Sequence, residues 1–166
     1  MEARMKPDQQ HFQLSLRIRH PSMDPADLTR ELEIEPVHSF RVGDPRASRT
    51  GLATASVHTE SYWLAMLNPD EWPADISFPG HTQSQVVEER LEAAAIKTLG
   101  RALSLSTTRF FAAHTKTLRR IRAEGGQISL LVAIFPGEVS GFSLAPEVSQ
   151  VFGELGITVE FDLTNA

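Results

Sequence analysis

A chain of 166 residues with net charge −5 and no cysteine is long enough for one domain with a sizeable core, and it excludes disulfides, thiolate nucleophiles and zinc sites built on sulfur. The acid excess argues against a dedicated nucleic-acid binder, since phosphate neutralisation needs surplus Lys and Arg. No run approaches the roughly 18 apolar residues of a membrane span, and Met1–Lys6 lacks the apolar run of a signal peptide, so a cytoplasmic location is expected.

Residues 1–10 read as a flexible start and 11–166 as a single domain. Phe12, Leu14, Leu16 and Ile18 alternate with Gln13, Ser15, Arg17 and Arg19, which predicts a strand ended by His20-Pro21. Asp24-Pro25-Ala26-Asp27 supplies a cap, a proline in the first turn and an acid, so a short helix follows with Leu28 and Leu32 on one face. Residues 35–54, with Pro36, Gly43, Asp44-Pro45 and Gly51, read as a long loop. Val57–Met66 has strand composition, with Tyr62, Leu64 and Met66 on one side and Thr59, Ser61 and Trp63 on the other. A second loop contains Asn68-Pro69-Asp70 and Pro79-Gly80.

Thr82 with Gln85 forms a capping-box pattern ahead of Val87, Leu91, Leu99 and Leu103 at helical spacing. A further helix is expected from about Thr107 to Ala123, stopped by Gly125-Gly126. Ile128–Phe135 is apolar at nearly every position, as in a strand covered on both faces. The closing stretch then places Ser143 as a helix cap, Pro146 in the first turn, Val148, Val151, Phe152 and Leu155 as one apolar stripe, and Gly156 as a left-handed stop. From Ile157 the period changes to two, with Ile157, Val159, Phe161 and Leu163 opposite Thr158, Glu160 and Asp162.

These elements predict an α+β fold: a ferredoxin-like antiparallel sheet of about four strands, helices on one face, and an inserted helical pair between the second and third strands. The first and last strands are expected side by side and antiparallel, because Arg17 and Arg19 would then face Glu160 and Asp162.

His20-Pro21-Ser22-Met23-Asp24-Pro25, Leu32-Glu33-Ile34-Glu35-Pro36, Val42-Gly43-Asp44, Trp63 and Gly141-Phe142-Ser143-Leu144-Ala145-Pro146 through Phe161-Asp162 together resemble the DUF4279 family, a bacterial domain of unknown function. Two positions depart from its pattern. Glu33 stands where a helix-ending glycine is usual, and Thr164 where an aromatic commonly follows the last strand. The resemblance implies the α+β domain and carries over no activity.

Candidate chemistry is sparse. His58-Thr59-Glu60 has the H-x-E form of a zinc deaminase but lacks the paired cysteines, so a hydrogen-bonded His58–Glu60 pair is the simpler reading. No H-E-x-x-H, G-x-S-x-G or phosphate-binding glycine loop occurs, so neither a metal nor another cofactor is expected. His114 falls on an apolar helix face, which fits a satisfied core histidine. Five cations and no acid lie between Arg109 and Arg122, whereas residues from Glu124 onward hold six acids and no cation. That asymmetry fits a solvated basic face near the acidic end of the same molecule. The segment from Val37 to Arg46 has the composition of a recognition loop, with His38, Phe40, Arg41, Asp44 and Arg46 as binding candidates and Trp63 as a further anchor.

The expected function is a small binding or interaction module without catalysis and with a protein partner; an immunity-type protein is one form of it. Two alternatives stay open. One is a metal-independent enzyme that gathers His38, His58, Asp44 and Glu60 in a cleft; the other is nucleic-acid binding through the basic helix 109–122.

Overall fold

A computed structural model describes residues 12–47, 53–67, 99–134 and 144–163. Its elements are β1 (Phe12–His20), α1 (Pro25–Leu32), β2 (His38–Phe40), β3 (Pro45–Ala47), β4 (Ala53–Val57), β5 (Ser61–Leu67), α2 (Leu99–Leu105), a π-helical segment (Ser106–Phe111), α3 (Thr115–Ala123), β6 (Gln127–Ile134), α4 (Pro146–Leu155) and β7 (Ile157–Leu163).

The fold is α+β around a five-stranded sheet in the order β2-β5-β1-β6-β7, with β3 and β4 forming a separate two-stranded arm. β1 pairs antiparallel with both β5 and β6, and β6 pairs parallel with β7. The sheet is therefore mixed, in place of the wholly antiparallel sheet of about four strands expected. The first and last strands are not neighbours either, because β6 lies between them. The cause is the connection: a helix between β6 and β7 carries the chain back to the same end of the sheet, so the next strand runs parallel. Arg17 still reaches Glu160, spanning β6 and also donating to Ser129 Oγ at 3.3 Å.

Alternation along β1 sets the two sheet faces. Phe12, Leu14, Leu16 and Ile18 are buried, and across the ladders they meet Trp63, Ala65, Leu67, Ile128, Leu130 and Val132 on the same face. Leu28 and Leu32 of α1, Phe111, Leu118 and Ile121 of the middle helices, and Val148, Phe152 and Leu155 of α4 complete one cluster over it. The opposite face is half-buried or exposed among the described residues, apart from Ser129.

Local chemistry explains the helix ends. Asp24 caps α1 by accepting the Ala26 N–H at 2.9 Å, as its spacing from Pro25 predicts. The cap position of α4 is Ala145, which makes no side-chain bond, and Ser143 lies outside the described residues. Gly156 closes α4 in the left-handed region at φ 62°. Glu33 closes α1 at φ 54°, the one left-handed non-glycine residue among those described. A β-carbon is strained there. Glu33→Gly is expected to raise stability by about 1 kcal/mol, read as a higher urea midpoint at unchanged m value.

The helix expected from Thr107 is continuous with the one before it. Ser106 and Thr107 donate to the carbonyls of Ala102 and Leu103 at 2.8 and 2.9 Å, so a polar run that looks like a break is absorbed by a π-helical turn. The break falls instead at His114, which is half-buried against Phe110 with ring centroids 4.6 Å apart. Burial holds its pKa below the ordinary histidine value. The capping box at Thr82 and Gln85 lies outside the described residues.

Candidate functional site

The segment after Pro36 is more structured than a loop. His38, Ser39 and Phe40 pair with Leu64, Trp63 and Tyr62 as a short edge strand, which puts His38 and Phe40 on the same face as Tyr62 and Leu64. The turn beyond it is tied down at several points. The Arg41 N–H donates to Asp44 Oδ2 at 2.7 Å, and the Val42 N–H donates to Ser61 Oγ at 3.0 Å. Gly43 and Asp44 exchange backbone bonds with His58 at 2.8 and 2.9 Å. These bonds bring His58, distant in the chain, against Phe40.

A stack of rings results. His58 lies on Phe40 with centroids 3.6 Å apart and planes at 21°, and Phe40 lies on Tyr62 at 5.1 Å and 10°. His38 meets both Phe40 and Tyr62 edge-on at 5.7 Å. The Arg19 guanidinium sits 6.0 Å from the Tyr62 ring centre and 3.7 Å from Glu60, so a cation continues the row. Each ring contact is worth about 0.5–1.5 kcal/mol beyond its buried area, which fixes the row before anything binds.

Three exposed valines lie near this row among charged and polar side chains. Val37, Val42 and Val57 are 61%, 40% and 50% exposed, and all three border the β2 edge or the base of the arm. The residues of β3, with Arg46 in its middle, are exposed, as are Thr54 to Val57 of β4. A two-stranded ribbon with no covered face is marginal by itself.

The candidates from the sequence separate accordingly. His38 and Phe40 belong to the row. Arg41 holds the turn in place: its Nε donates to Asp24 Oδ1 at 2.9 Å and its Nη2 pairs with Asp24 Oδ2. The Ala26 N–H and then the Arg41 guanidinium hold the Asp24 carboxyl below the usual carboxylate range. Asp44 is spent on the turn, and Arg46 stands exposed on the arm. Trp63 is fully buried on the other face of β5, with Nε1 donating to Thr29 Oγ1 at 3.1 Å, so it anchors the core rather than a partner. Tyr62 and Arg19 were missed; once Trp63 is placed inward, the two-residue period of a strand turns Tyr62 outward.

His58 and Glu60 do not form the expected pair, since His58 stacks on Phe40 and Glu60 faces Arg19. Among the described residues no hydrogen bond or ion pair joins the side chains of His38, Asp44, His58 and Glu60, and no three His, Asp or Glu side chains gather as a metal-binding group. The basic helix is partly neutralised from within. Arg120 donates to Glu31 of α1 at 2.8 Å and to Glu124, and hydrogen bonding to Glu31 raises its pKa. Among the described residues its acid partners are thus Glu31 of α1 and Glu124, the first acid of the acidic end of the chain, whose helix α4 packs against α3. No helix among the described residues is long and apolar enough to cross a membrane.

A family model described as "Domain of unknown function (DUF4279)" matches residues 9–166. No curated protein and no solved structure matches the chain.

Proposed function

The chain belongs to the DUF4279 family, and since that description assigns no activity, we propose that the protein is a non-catalytic binding module that docks a protein partner on the ring row of its sheet. The observation that carries this is the His58–Phe40–Tyr62 stack bordered by exposed Val37, Val42 and Val57. Rigid aromatic rings beside aliphatic side chains supply contact area at little entropic cost, the character of binding hot spots.

The ring geometry also favours protein over nucleic acid. Phe40 stacks on both His58 and Tyr62, so the ring faces used in those contacts are not free for bases to stack on. A catalytic reading lacks support, because the titratable candidates make separate contacts with structural partners. The role is compatible with an immunity-type protein in the cytoplasm, where a preformed surface neutralises its target by occupying it.

The test is capture from extract of the native host on immobilised protein. A discrete protein retained by the wild type and lost with Phe40→Ala, at unchanged far-UV circular dichroism, is the expected result; hot-spot truncation costs about 2 kcal/mol or more, some thirtyfold in affinity. Equal capture by both proteins would contradict the proposal.

A further inference from the structure

We propose that His20 is a proton-operated latch that holds the turn beneath the binding surface and releases it on acidification. The imidazole is 5% exposed and sits where β1 turns towards α1. Its Nδ1 accepts two backbone N–H groups, from Ser22 at 3.1 Å and from Met23 at 2.9 Å. That arrangement requires a bare Nδ1 and puts the ring proton on Nε2. Nε2 in turn is buried without a hydrogen-bond partner, and the nearest acid oxygen, Glu124 Oε2, is 3.7 Å away.

Adding a proton reverses both relations. Protonated Nδ1 would meet two N–H donors head-on, so the bonds to Ser22 and Met23 cannot persist, while the imidazolium is drawn towards Glu124. The charged groups that face the ring are Glu124, which favours the proton, and Arg120, which opposes it. Both come from the end of α3, and Arg120 is shared with Glu31. Burial outweighs them and holds the histidine below its ordinary 6.5. The unfolded chain then binds the proton more readily than the native turn does. The latch's contribution is complete above the ordinary value and fades as pH falls from there through the lowered one.

The turn leads straight to the site. Asp24, next after Met23, caps α1 and holds Arg41, and Arg41 with Asp44 shapes the chain that carries Phe40 and His58. Opening the turn frees Asp24 to move and slackens that hold. The effect on binding rests on the proposed partner surface; the latch itself does not.

Hydrogen exchange read by NMR on the full chain, with imidazole nitrogen shifts followed in the same samples, tests it. Between about pH 7.5 and about pH 5, protection factors at the Ser22 and Met23 amides should fall by about tenfold or more, in step with the His20 nitrogen titration. His20→Asn supplies an acceptor that does not titrate, so protection there should be pH-independent. Glu124→Gln should move the transition to lower pH. Wild-type protection that stays constant while His20 titrates, or a titration displaced from the amide transition, would overturn the latch, and both are readable if His20→Asn does not fold. Identical loss in His20→Asn would overturn it as well. If the latch opens but Phe40-dependent capture of a host protein is equal at both pH values, the regulatory role fails and the latch stands; if no Phe40-dependent capture exists at either pH, it is the partner surface that fails.

Discussion

Replacing Trp63 with alanine is expected to cost about 3–5 kcal/mol of folding stability. Trp63 is fully buried at the Ile18 position of the β1–β5 ladder, and its indole N–H bonds to Thr29, so it ties α1 to the sheet as well as filling volume. Truncation leaves a cavity that the paired strands on either side cannot close, and it strands the Thr29 hydroxyl. Urea denaturation measures the loss. Trp63→Phe should recover much of it, because most of the volume returns and only the bond to Thr29 is missing. A loss below about 1 kcal/mol for Trp63→Ala would show that the core is not organised around this ring.

The second large effect is expected at Gly126, between α3 and β6. A β-carbon there would lie 2.5 Å from Ile121 Cγ2, 2.7 Å from the Ile121 carbonyl oxygen and 2.9 Å from His20 Cδ2. The carbonyl cannot step aside, since it accepts the Gly126 N–H at 2.8 Å. Gly126→Ala should therefore break the helix end or displace β6, costing about 1–3 kcal/mol. Gly153→Ala is the matched control. It sits in α4 with nothing within 4 Å of an added β-carbon, and should be neutral or slightly stabilising. Thermal denaturation of the two variants separates the steric explanation from a general dislike of side chains at glycines.

Period and punctuation made the elements around the core legible in the sequence. β1 and the stripe of α4 carry one buried face each, whereas on β7 only Ile157 is buried, Val159 is half-buried and Phe161 is exposed, as befits a strand at the sheet edge. Asp24-Pro25 and Gly156 mark helix ends with residues whose backbone chemistry leaves little choice. Strand order was not legible from charge. Arg17 and Glu160 attract each other as the sequence suggests, but a long arginine side chain reaches across an intervening strand, so a complementary pair does not define a ladder. The helix between β6 and β7 held the better signal, because strand, helix, strand implies a parallel pair.

The site was legible as a segment and not as a surface. His38 and Phe40 stood out by type, whereas His58, Tyr62 and Arg19 join them only through the β2–β5 and β1–β5 ladders and the backbone bonds of the arm. Those are contacts at long separation, and no local pattern encodes them. The strand expected from Val57 to Met66 also divides at His58–Glu60, and it is this break that turns His58 back onto Phe40.

Docking of a partner on the ring row can be read by photo-crosslinking in the native host from a benzophenone side chain placed at exposed His38 and, separately, at exposed Arg119 on α3. A discrete crosslinked protein is expected from position 38, disappearing when Phe40→Ala is added, and none from position 119. Crosslinking from position 119 alone, or a product at position 38 that is indifferent to Phe40, would contradict it.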